Sequence, residues 1–445
     1  MSEFIERPRY ACALGGALST LRAIPKAIPI IHAASGCGYN LFNATNAGSA
    51  YLGGGYCGST SIPSSNVTEK EIVFGGEQRL EEEIQTTLEI MDGDLFVVLS
   101  GCMVEMIGDD IDSVVRRFDE SHKVIAISTP SFKGNSYYGY DLLLEGFVKY
   151  YINKPKIKAE KKVNILGIVP GEDVFWKGNL KEIKRIFSLL GIEANTLFGE
   201  GEGLNDIQSS SEASYNIVLS EVYGHLAAQA YEEKFGIPYV VEQLPIGYLQ
   251  TEKFLREIGV LFGISEEEVN QALSLDREIY YDYFERFSDI YTDADLQNYA
   301  VVVGDANYAP SVTRFLSDEL GWLPKLSVIT DILNDKQKTS LQRSYENFES
   351  GLTVPVKFDT NTSSVKKYLR EVWEPYKNEK HYDSLTPLVI VGSILEKELA
   401  TSLNAPLITV TYPITNRVVL NRTYIGFNGG LALTEDILST LVAGR

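Results

Sequence analysis

Cysteine is the residue type whose positions in this sequence most suggest chemistry. The four cysteines, Cys12, Cys37, Cys57 and Cys102, all lie in the first quarter of a 445-residue chain. Cysteines that serve only as small core residues should scatter, so this clustering favours a function for some of them. Four thiols in so long a chain do not form a disulfide framework. The absence of a C-x-x-C pair excludes zinc-ribbon and bacterial-ferredoxin spacings.

Two of these cysteines follow apolar runs that are typical of buried parallel strands. Cys102 ends DLFVVLSGC (94–102) and Cys37 ends IPIIHAASGC, each directly after a glycine. Open α/β sheets bind ligands at the carboxyl ends of their strands. Cys12, in YACALGGAL, lies beside further glycines, which allow a backbone to approach a bulky group closely. The sequence therefore predicts three thiols on glycine-lined loops at strand ends, with three unrelated buried thiols as the alternative.

Thiolates on turns are the ligands that iron–sulfur clusters take, and nearby backbone N–H groups stabilise such clusters. A cubane needs four ligands, so three from one chain predict a partner subunit that supplies the rest. Cys57 lies in the Gly-rich stretch YLGGGYCGST, where it is either a fourth ligand or an exposed loop thiol.

Other candidate sites are weaker. GDANYAP can bind an anion at a helix N-terminus, but it lacks the Gly-x-Gly-x-x-Gly fingerprint and a P-loop lysine. The four histidines do not support a Ser/His/Asp set. His32 lies in an apolar run, and we expect it to be a core residue with satisfied hydrogen bonds.

The elements that must position these residues repeat as strand, loop and helix, which indicates an α/β fold with mainly parallel sheets. We expect three Rossmann-like doubly wound domains. Residues 1–160 form a cluster-binding domain with the partner interface, 161–298 a second domain, and 299–445 a third with a C-terminal helix. The charged segment KPKIKAEKK (154–162) marks the first boundary.

The charge balance excludes two classes of partner. The net charge is −20, from 60 acidic and 40 basic residues, and it would repel nucleic acid and anionic membranes. The first residues, MSEFIERPRY, have no apolar core, so we expect no signal peptide there. AIPKAIPIIHAA is too short and too interrupted to span a bilayer. A cytoplasmic location is the resulting expectation.

Several segments resemble component 1 of the nitrogenase superfamily. RPRYACALGGAL, IPIIHAASGCGYN and SGCMVEMIGDDI carry the cysteines, with VFGG between the second and the third. GDANYAPSVTRFLSDELG, GSILEKELA and NRTYIGFNGGLALTEDI fit as well, so the resemblance covers nearly the whole chain. The family pairs two homologous chains of three Rossmann-like domains. Its α-type chain holds the active-site metallocofactor through one Cys and one His far down the sequence.

No cysteine follows Cys102, so the chain has no thiolate for that cofactor and resembles a β-type subunit. The resemblance implies that Cys12, Cys37 and Cys102 hold a P-cluster, an [8Fe-7S] cluster that is shared with the α-type partner and relays electrons. The family's β-type chain also has a serine in a Thr-Pro-Ser-Phe segment, and its hydroxyl can ligate the oxidised cluster. Ser131 occupies that motif here.

The resemblance also implies partners. VFGG resembles the loop where the ATP-dependent reductase, the iron protein, docks, which assigns that contact to Phe74. The implied assembly is a heterotetramer of two α-type and two β-type chains, in which this chain does no substrate chemistry itself. The substrate is N₂ or another small molecule, such as a methylthio-alkane in a nitrogenase-like reductase.

Some features depart from an ordinary nitrogenase β chain. SNVTEKEIVFGG is more similar to the α-type version of that segment, and Cys57 has no counterpart in the family pattern. The main alternative is a subunit of a cofactor-assembly scaffold with a [4Fe-4S] cluster, which should not need Ser131. A dark-operative tetrapyrrole reductase is a third alternative. Three cysteines disfavour it, since its β-like chain is expected to replace most of them with an aspartate.

Overall fold

The chain folds into an α/β architecture with three separate parallel sheets. The computed structural model describes residues 9–50, 62–118, 123–155, 157–293, 296–373 and 388–443. Every strand pair within these residues is parallel, and helices connect the strands. This confirms the predicted Rossmann-like, doubly wound fold class. The short apolar runs of the sequence form the strands, because a parallel strand covered on both faces is apolar along its whole length.

The first sheet carries the cysteine region. Its order is β1–β2–β3, and β1 pairs with β2 in register from Ala27↔Leu95 to His32↔Ser100. These strands are β1 (Ala27–His32), β2 (Leu95–Ser100) and β3 (Val124–Ser128). The helices of this region are α1 (Ala13–Leu21), α2 (Ser35–Gly48), α3 (Glu69–Phe74), α4 (Glu77–Ile90), α5 (Cys102–Ile107), α6 (Ile111–Val115) and α7 (Ser136–Gly146).

The second sheet has the order β5–β4–β6–β7. Its strands are β4 (Lys162–Leu166), β5 (Glu193–Asn195), β6 (Tyr215–Val218) and β7 (Tyr239–Val241). The helices here are α8 (Trp176–Leu189), α9 (Leu204–Ser209), α10 (His225–Phe235), α11 (Gly247–Leu261) and α12 (Glu266–Asp293).

The third sheet has the order β10–β9–β8–β11–β12. Successive strands are added first on one side of β8 and then on the other, as in a dinucleotide-binding sheet. Its strands are β8 (Tyr299–Gly304), β9 (Leu323–Ile329), β10 (Val356–Phe358), β11 (Leu388–Gly392) and β12 (Leu407–Thr409). The helices are α13 (Tyr308–Asp318), α14 (Asp335–Arg343), α15 (Val365–Val372), α16 (Lys397–Ser402) and α17 (Gly426–Ala443).

One continuous apolar core joins the three sheets, and two smaller cores lie on the outer faces of the first and third sheets. Each sheet lies within one of the three predicted residue ranges, whose exact bounds stay predictions. No helix in the described part of the chain is long and apolar enough to cross a membrane.

Arg9, the first described residue, forms a buried ion pair and hydrogen bonds with residues near the other end of the chain. Arg9 donates to Glu396 Oε1 at 2.6 Å and to Ser393 Oγ at 2.7 Å, and the Arg9 and Glu396 side chains are each 1% exposed. Arg9 also donates to the carbonyl of Tyr412 at 3.1 Å. A buried guanidinium requires such partners, because an unpaired buried charge is strongly destabilising.

Candidate metal centre

Each of the three described cysteines lies at the start of a helix. Cys12 is the N-cap residue of α1, Cys37 lies in the first turn of α2, and Cys102 is the first residue of α5. All three thiols are free and half-buried. Backbone N–H groups at a helix N-terminus point out of the helix, toward the position of each of these cysteines.

Two of these positions match the predicted strand ends. Cys37 follows β1 and Cys102 follows β2, and these neighbouring parallel strands end side by side. The described residues before Cys12 begin at residue 9 and contain no strand, so its predicted position at a strand end stays a prediction. Cys12 forms an isolated antiparallel bridge with Asn135, the N-cap residue of α7.

The fold brings the three thiols into one neighbourhood. Burial raises the pKa of the Cys37 thiol, and the charges of Cys12 and Cys102 raise it further. Such mutual repulsion requires the sulfurs to be close, although they are far apart in the sequence. A bound cation would relieve it. Cys57 lies outside the described residues.

Ser131 is in direct contact with one of the thiols. It follows β3 and begins a short 3-10 turn, Ser131–Lys133. Its Oγ lies 2.7 Å from the Sγ of Cys102, and its backbone N–H donates to the same sulfur at 3.2 Å. The carboxyl end of β3 therefore supplies an oxygen and an N–H group beside the thiols that follow β1 and β2.

Close packing of α1 against α7 holds Cys12 beside this turn. Ala13 N donates to Gly134 O at 3.1 Å, and Ser136 N donates to Ala11 O at 2.8 Å. A Cβ atom at Gly16 would lie 1.7 Å from the carbonyl oxygen of Ser136, so only glycine permits this approach.

Three half-buried thiols and one hydroxyl form the donor set of the candidate centre. Within the residues that the structure describes, no group of three His, Cys, Asp or Glu side chains is arranged to hold a metal ion. In an iron–sulfur cluster, separate iron atoms each take their own cysteine, so neighbouring thiols need not converge on one point. Three half-buried thiols and a serine hydroxyl are therefore compatible with a cluster that a second chain completes.

Phe74 lies at the last position of α3 and is exposed. Its side chain is 82% exposed, and that of the neighbouring Val73 is 71% exposed. Gly75, which follows, has φ +91° and turns the chain into Gly76, the N-cap residue of α4. The VFGG segment is thus a glycine turn that presents two apolar side chains to solvent.

His32 is a buried core residue with two hydrogen-bond partners, in agreement with the prediction from its apolar surroundings. Nδ1 lies 2.8 Å from Ser65 Oγ, and Nε2 lies 3.0 Å from Asp109 Oδ2. Burial lowers the pKa of the imidazole, while the hydrogen bond and charge of Asp109 oppose that effect. No sequence pattern indicates the role of Asp109, because its partners are distant along the chain.

The GDANYAP segment does not offer a free anion site. Asp305 accepts hydrogen bonds from the N–H groups of Asn307 and Tyr308 at 2.9 Å each, so its carboxylate already occupies the start of α13. Asp305 belongs to a buried acidic group with Glu172, Asp173 and Asp331. Burial is the main cause that raises the pKa of each of these last three to about 7.

Comparison with known proteins extends these observations. A family model described as nitrogenase component 1 type oxidoreductase matches residues 12–442. The chain belongs to this family. Component 1 membership confirms the resemblance seen in the sequence, and it implies an oxidoreductase component with iron–sulfur clusters.

Relatives of this component 1 chain include several β chains. It is 25% identical to the nitrogenase molybdenum-iron protein beta chain of Methanococcus maripaludis, over 98% of this chain and 94% of that protein. It is 23% identical to the nitrogenase iron-iron protein beta chain of Rhodobacter capsulatus, again over 98% and 94%. These matches agree with a β-type chain.

A reductase subunit and a solved nitrogenase structure are also similar to this chain. One of the subunits of the light-independent protochlorophyllide reductase of Chaetosphaeridium globosum is 25% identical, over 86% of this chain and 74% of that protein. A solved structure named "Nitrogenase Cp1 at pH 6.5" has a TM-score of 0.78 at 20% identity, covering 99% of this chain and 95% of the other. The structural match shows the component 1 fold.

Proposed function

We propose that this chain is the β-type subunit of a nitrogenase-like component 1 reductase. In this proposal Cys12, Cys37, Cys102 and Ser131 hold a P-cluster-type [8Fe-7S] cluster at the interface with a homologous α-type subunit. The observation that carries the proposal is the contact of Ser131 Oγ with Cys102 Sγ at 2.7 Å, within a group of three half-buried thiols. The substrate-reducing metallocofactor belongs to the α-type partner, and the assembly contains two copies of each chain.

In this proposal, the residues of this chain bind the cluster and orient its ligands. Each thiol lies at the beginning of a helix, where backbone N–H groups point toward negative charge. The N–H of Ser131 donates to the sulfur of Cys102, as outer hydrogen-bond donors do to the sulfur ligands of metal centres. The Ser131 hydroxyl can give up its proton and then offers an oxygen ligand at the same position. When bound, the cluster supplies one-electron redox chemistry between the reductase and the partner's cofactor.

Exposed apolar side chains beside the thiols support an interface with the partner. Phe132, next to Ser131, is 64% exposed, and Met106, on the helix that begins with Cys102, is 78% exposed. Large apolar side chains in solvent, close to an incomplete donor set, are typical of a surface that another protein covers. We assign this surface to the α-type subunit.

Phe74 and Val73 supply a second exposed apolar pair, which we assign to docking of the ATP-dependent iron protein. The capping box between Thr68 and Glu71 fixes the start of their helix, with Thr68 N donating to Glu71 Oε2 at 2.8 Å. A rigid helix that ends in two apolar side chains gives a protein partner a defined contact.

A cofactor-assembly scaffold with a [4Fe-4S] cluster is the alternative function. The position of Ser131 favours the electron relay, because a four-iron cluster held by cysteines has no use for this hydroxyl. Within the relay, the acceptor can be N₂ or a different small molecule such as a methylthio-alkane. A protochlorophyllide reductase chain among the relatives is consistent with substrates other than N₂.

Iron content tests the proposal. We expect the chain, purified anaerobically with its α-type partner, to contain about eight iron atoms per pair of chains that the cysteines of this chain are needed to hold, the content of one [8Fe-7S] cluster. Single Cys37→Ala and Cys102→Ala variants should lose most of these eight and keep the metal of the partner's cofactor, whereas Thr86→Ala, an exposed change on α4, should lose none. A loss of only about four irons would favour the scaffold, and full retention of iron in both cysteine variants would overturn the assignment of a metal centre here.

A further inference from the structure

A buried side-chain pair links the VFGG turn to the segments that carry the thiols. The carboxylate of Asp109 accepts the N–H of Gly76, with Oδ1 at 3.0 Å and Oδ2 at 3.2 Å. The same Oδ2 lies 3.0 Å from Nε2 of His32. The two side chains are 0% and 4% exposed for His32 and Asp109, so water does not compete for these contacts. We refer to them as the His32–Asp109 pair.

Each member of the pair is attached to a cysteine-bearing segment. His32 is the last residue of β1, and Cys37 follows in the first turn of α2. Asp109 lies just beyond α5, the helix that begins with Cys102. The carbonyl of His32 also accepts the N–H of Gly101 at 2.8 Å, directly before Cys102. The pair is therefore connected to both of the segments that carry Cys37 and Cys102.

The pair also contacts the turn that presents Phe74. Gly76 lies two residues beyond Phe74, and a Cβ atom there would be 2.6 Å from Asp109 Oδ2 and 3.0 Å from His32 Cε1. The last glycine of VFGG is thus packed against the pair and leaves no room for a side chain. On the other side, Ser65 Oγ contacts His32 Nδ1 at 2.8 Å, a short distance before α3.

The contacts satisfy both side chains of the pair. In the neutral tautomer that donates from Nε2 to Asp109, Nδ1 of His32 accepts from the hydroxyl of Ser65. Both carboxylate oxygens of Asp109 accept from Gly76. A buried hydrogen-bond network in which every member has a partner is rigid.

We propose that His32 and Asp109 are positioning residues that fix the Phe74–Gly76 turn relative to the Cys37 and Cys102 segments. A reductase bound at Phe74 is then held at a fixed distance and orientation relative to the metal centre. This inference rests on the proposed function, since it takes Phe74 as the reductase contact. It adds two residues that touch neither the reductase nor the metal and connect the two surfaces.

The experiment compares four variants of the assembled protein: Asp109→Ala, Asp109→Asn, Phe74→Ala and Asp112→Ala. Asp112 is an exposed acid in the first turn of the next helix, α6, and serves as the matched control. Three quantities are measured: iron content, the rate of reduction by a chemical reductant, and the reductase concentration that gives half-maximal turnover. Amide hydrogen exchange of the peptide that contains Phe74–Gly76 is measured in parallel.

We expect Asp109→Ala to raise the half-saturating reductase concentration and the exchange rate of the turn, each by roughly tenfold, because the buried N–H of Gly76 loses its acceptor. Iron content and chemical reduction should stay at the level of the control. Asp109→Asn should recover much of the loss, since its amide oxygen still accepts from Gly76 and the opposite tautomer of His32 can pair with its NH₂ group.

Failure of the inference and failure of the proposed function give different results. If Phe74→Ala weakens reductase binding while Asp109→Ala behaves like Asp112→Ala, the positioning role is overturned and the docking assignment stands. If Asp109→Ala loses iron, the pair stabilises the metal centre itself and does not set the position of the reductase relative to it. This result also overturns the inference. If Phe74→Ala changes nothing, the docking assignment itself is wrong, and the inference fails with it.

Discussion

At the scale of single residues, Ser131 contacts the sulfur of Cys102 with two groups of different chemistry. The backbone N–H donates to the sulfur at 3.2 Å, and the hydroxyl oxygen lies 2.7 Å from the same sulfur. In the proposed centre, the N–H would stabilise the cysteine ligand, and the hydroxyl would supply a hard oxygen donor, which electron-poor iron prefers. The proposal therefore predicts that the side chain of Ser131 acts mainly on the oxidised state.

Removal of the hydroxyl should affect the oxidised state of the centre specifically. In Ser131→Ala we expect full iron content but a midpoint potential changed by on the order of 60 mV, which is a tenfold change in equilibrium for a one-electron couple. Ser131→Thr keeps the oxygen and should stay near the parent value. Redox titration of the assembled protein measures both. Equal potentials in Ser131→Ala and the parent protein would show that the hydroxyl is not a ligand.

Some of these residues can be found from the sequence, for identifiable physical reasons. The cysteines stand out because they cluster among glycines, and Ser131 stands out only through its family motif. The contact of Asp109 with Gly76 is not predictable, because the two residues are 33 positions apart and meet only through the packing of α3–α6 on the first sheet. The predicted metal-ligand roles themselves stay predictions.

At the scale of elements, the α1–α7 contact determines where Cys12 lies. Gly16 on α1 faces the carbonyl of Ser136, and Gly139 on α7 faces the carbonyl of Ala13, with hypothetical Cβ distances of 1.7 and 1.9 Å. Two glycines on opposite helices let the backbones approach far closer than ordinary side chains allow. The N-terminus of α1, with its cysteine, is thereby held against the turn that carries Ser131.

A methyl group at this contact should separate the two helices. Gly16→Ala is expected to lower the free energy of unfolding by about 1–3 kcal/mol, the usual cost of overpacking, and to reduce bound iron because Cys12 moves. Gly203→Ala is the control, since it lies outside the cysteine region and its Cβ would meet nothing closer than 3.7 Å. Denaturant unfolding and iron analysis of the two variants check this. If Gly16→Ala were as stable and as iron-rich as Gly203→Ala, the contact would not position Cys12.

Most elements can be predicted because their signals are local. The apolar run before Cys102 forms β2, and the amphipathic run after VFGG forms α4 with Leu80 and Ile84 buried. Residues 9–12 carry no comparable pattern, and Cys12 is held by an isolated bridge to Asn135, far along the chain. Local periodicity predicts helices and strands, whereas the position of an irregular segment depends on tertiary contacts.

At the scale of the whole molecule, the interior carries several carboxyl groups that burial keeps from ionising. The pKa of Glu172, Asp173 and Asp331 is raised to about 7, mainly by burial. Between about pH 4 and about pH 7 the folded chain therefore binds protons that the unfolded chain has released. Stability linked to these groups is present below that window and falls as the pH rises through it.

Glu172→Gln removes one of these groups while keeping a similar shape. We expect the decline of the free energy of unfolding between about pH 5 and about pH 7 to become shallower by up to about 1.4 kcal/mol per pH unit. Glu267→Gln, an exposed change in the first turn of α12, should keep the parent slope. Denaturant titrations across this range measure the slopes. A parent-like slope in Glu172→Gln would show that Glu172 is ionised throughout.

The ion pair between Arg9 and Glu396 has a consequence for the order of events during synthesis. Glu396 leaves the ribosome 387 residues after Arg9, so the guanidinium has no buried partner until the last sheet is almost complete. Cys12 lies only three residues beyond Arg9. The segment that carries the first of the proposed ligands therefore gains its buried ion pair only when nearly the whole chain has been made.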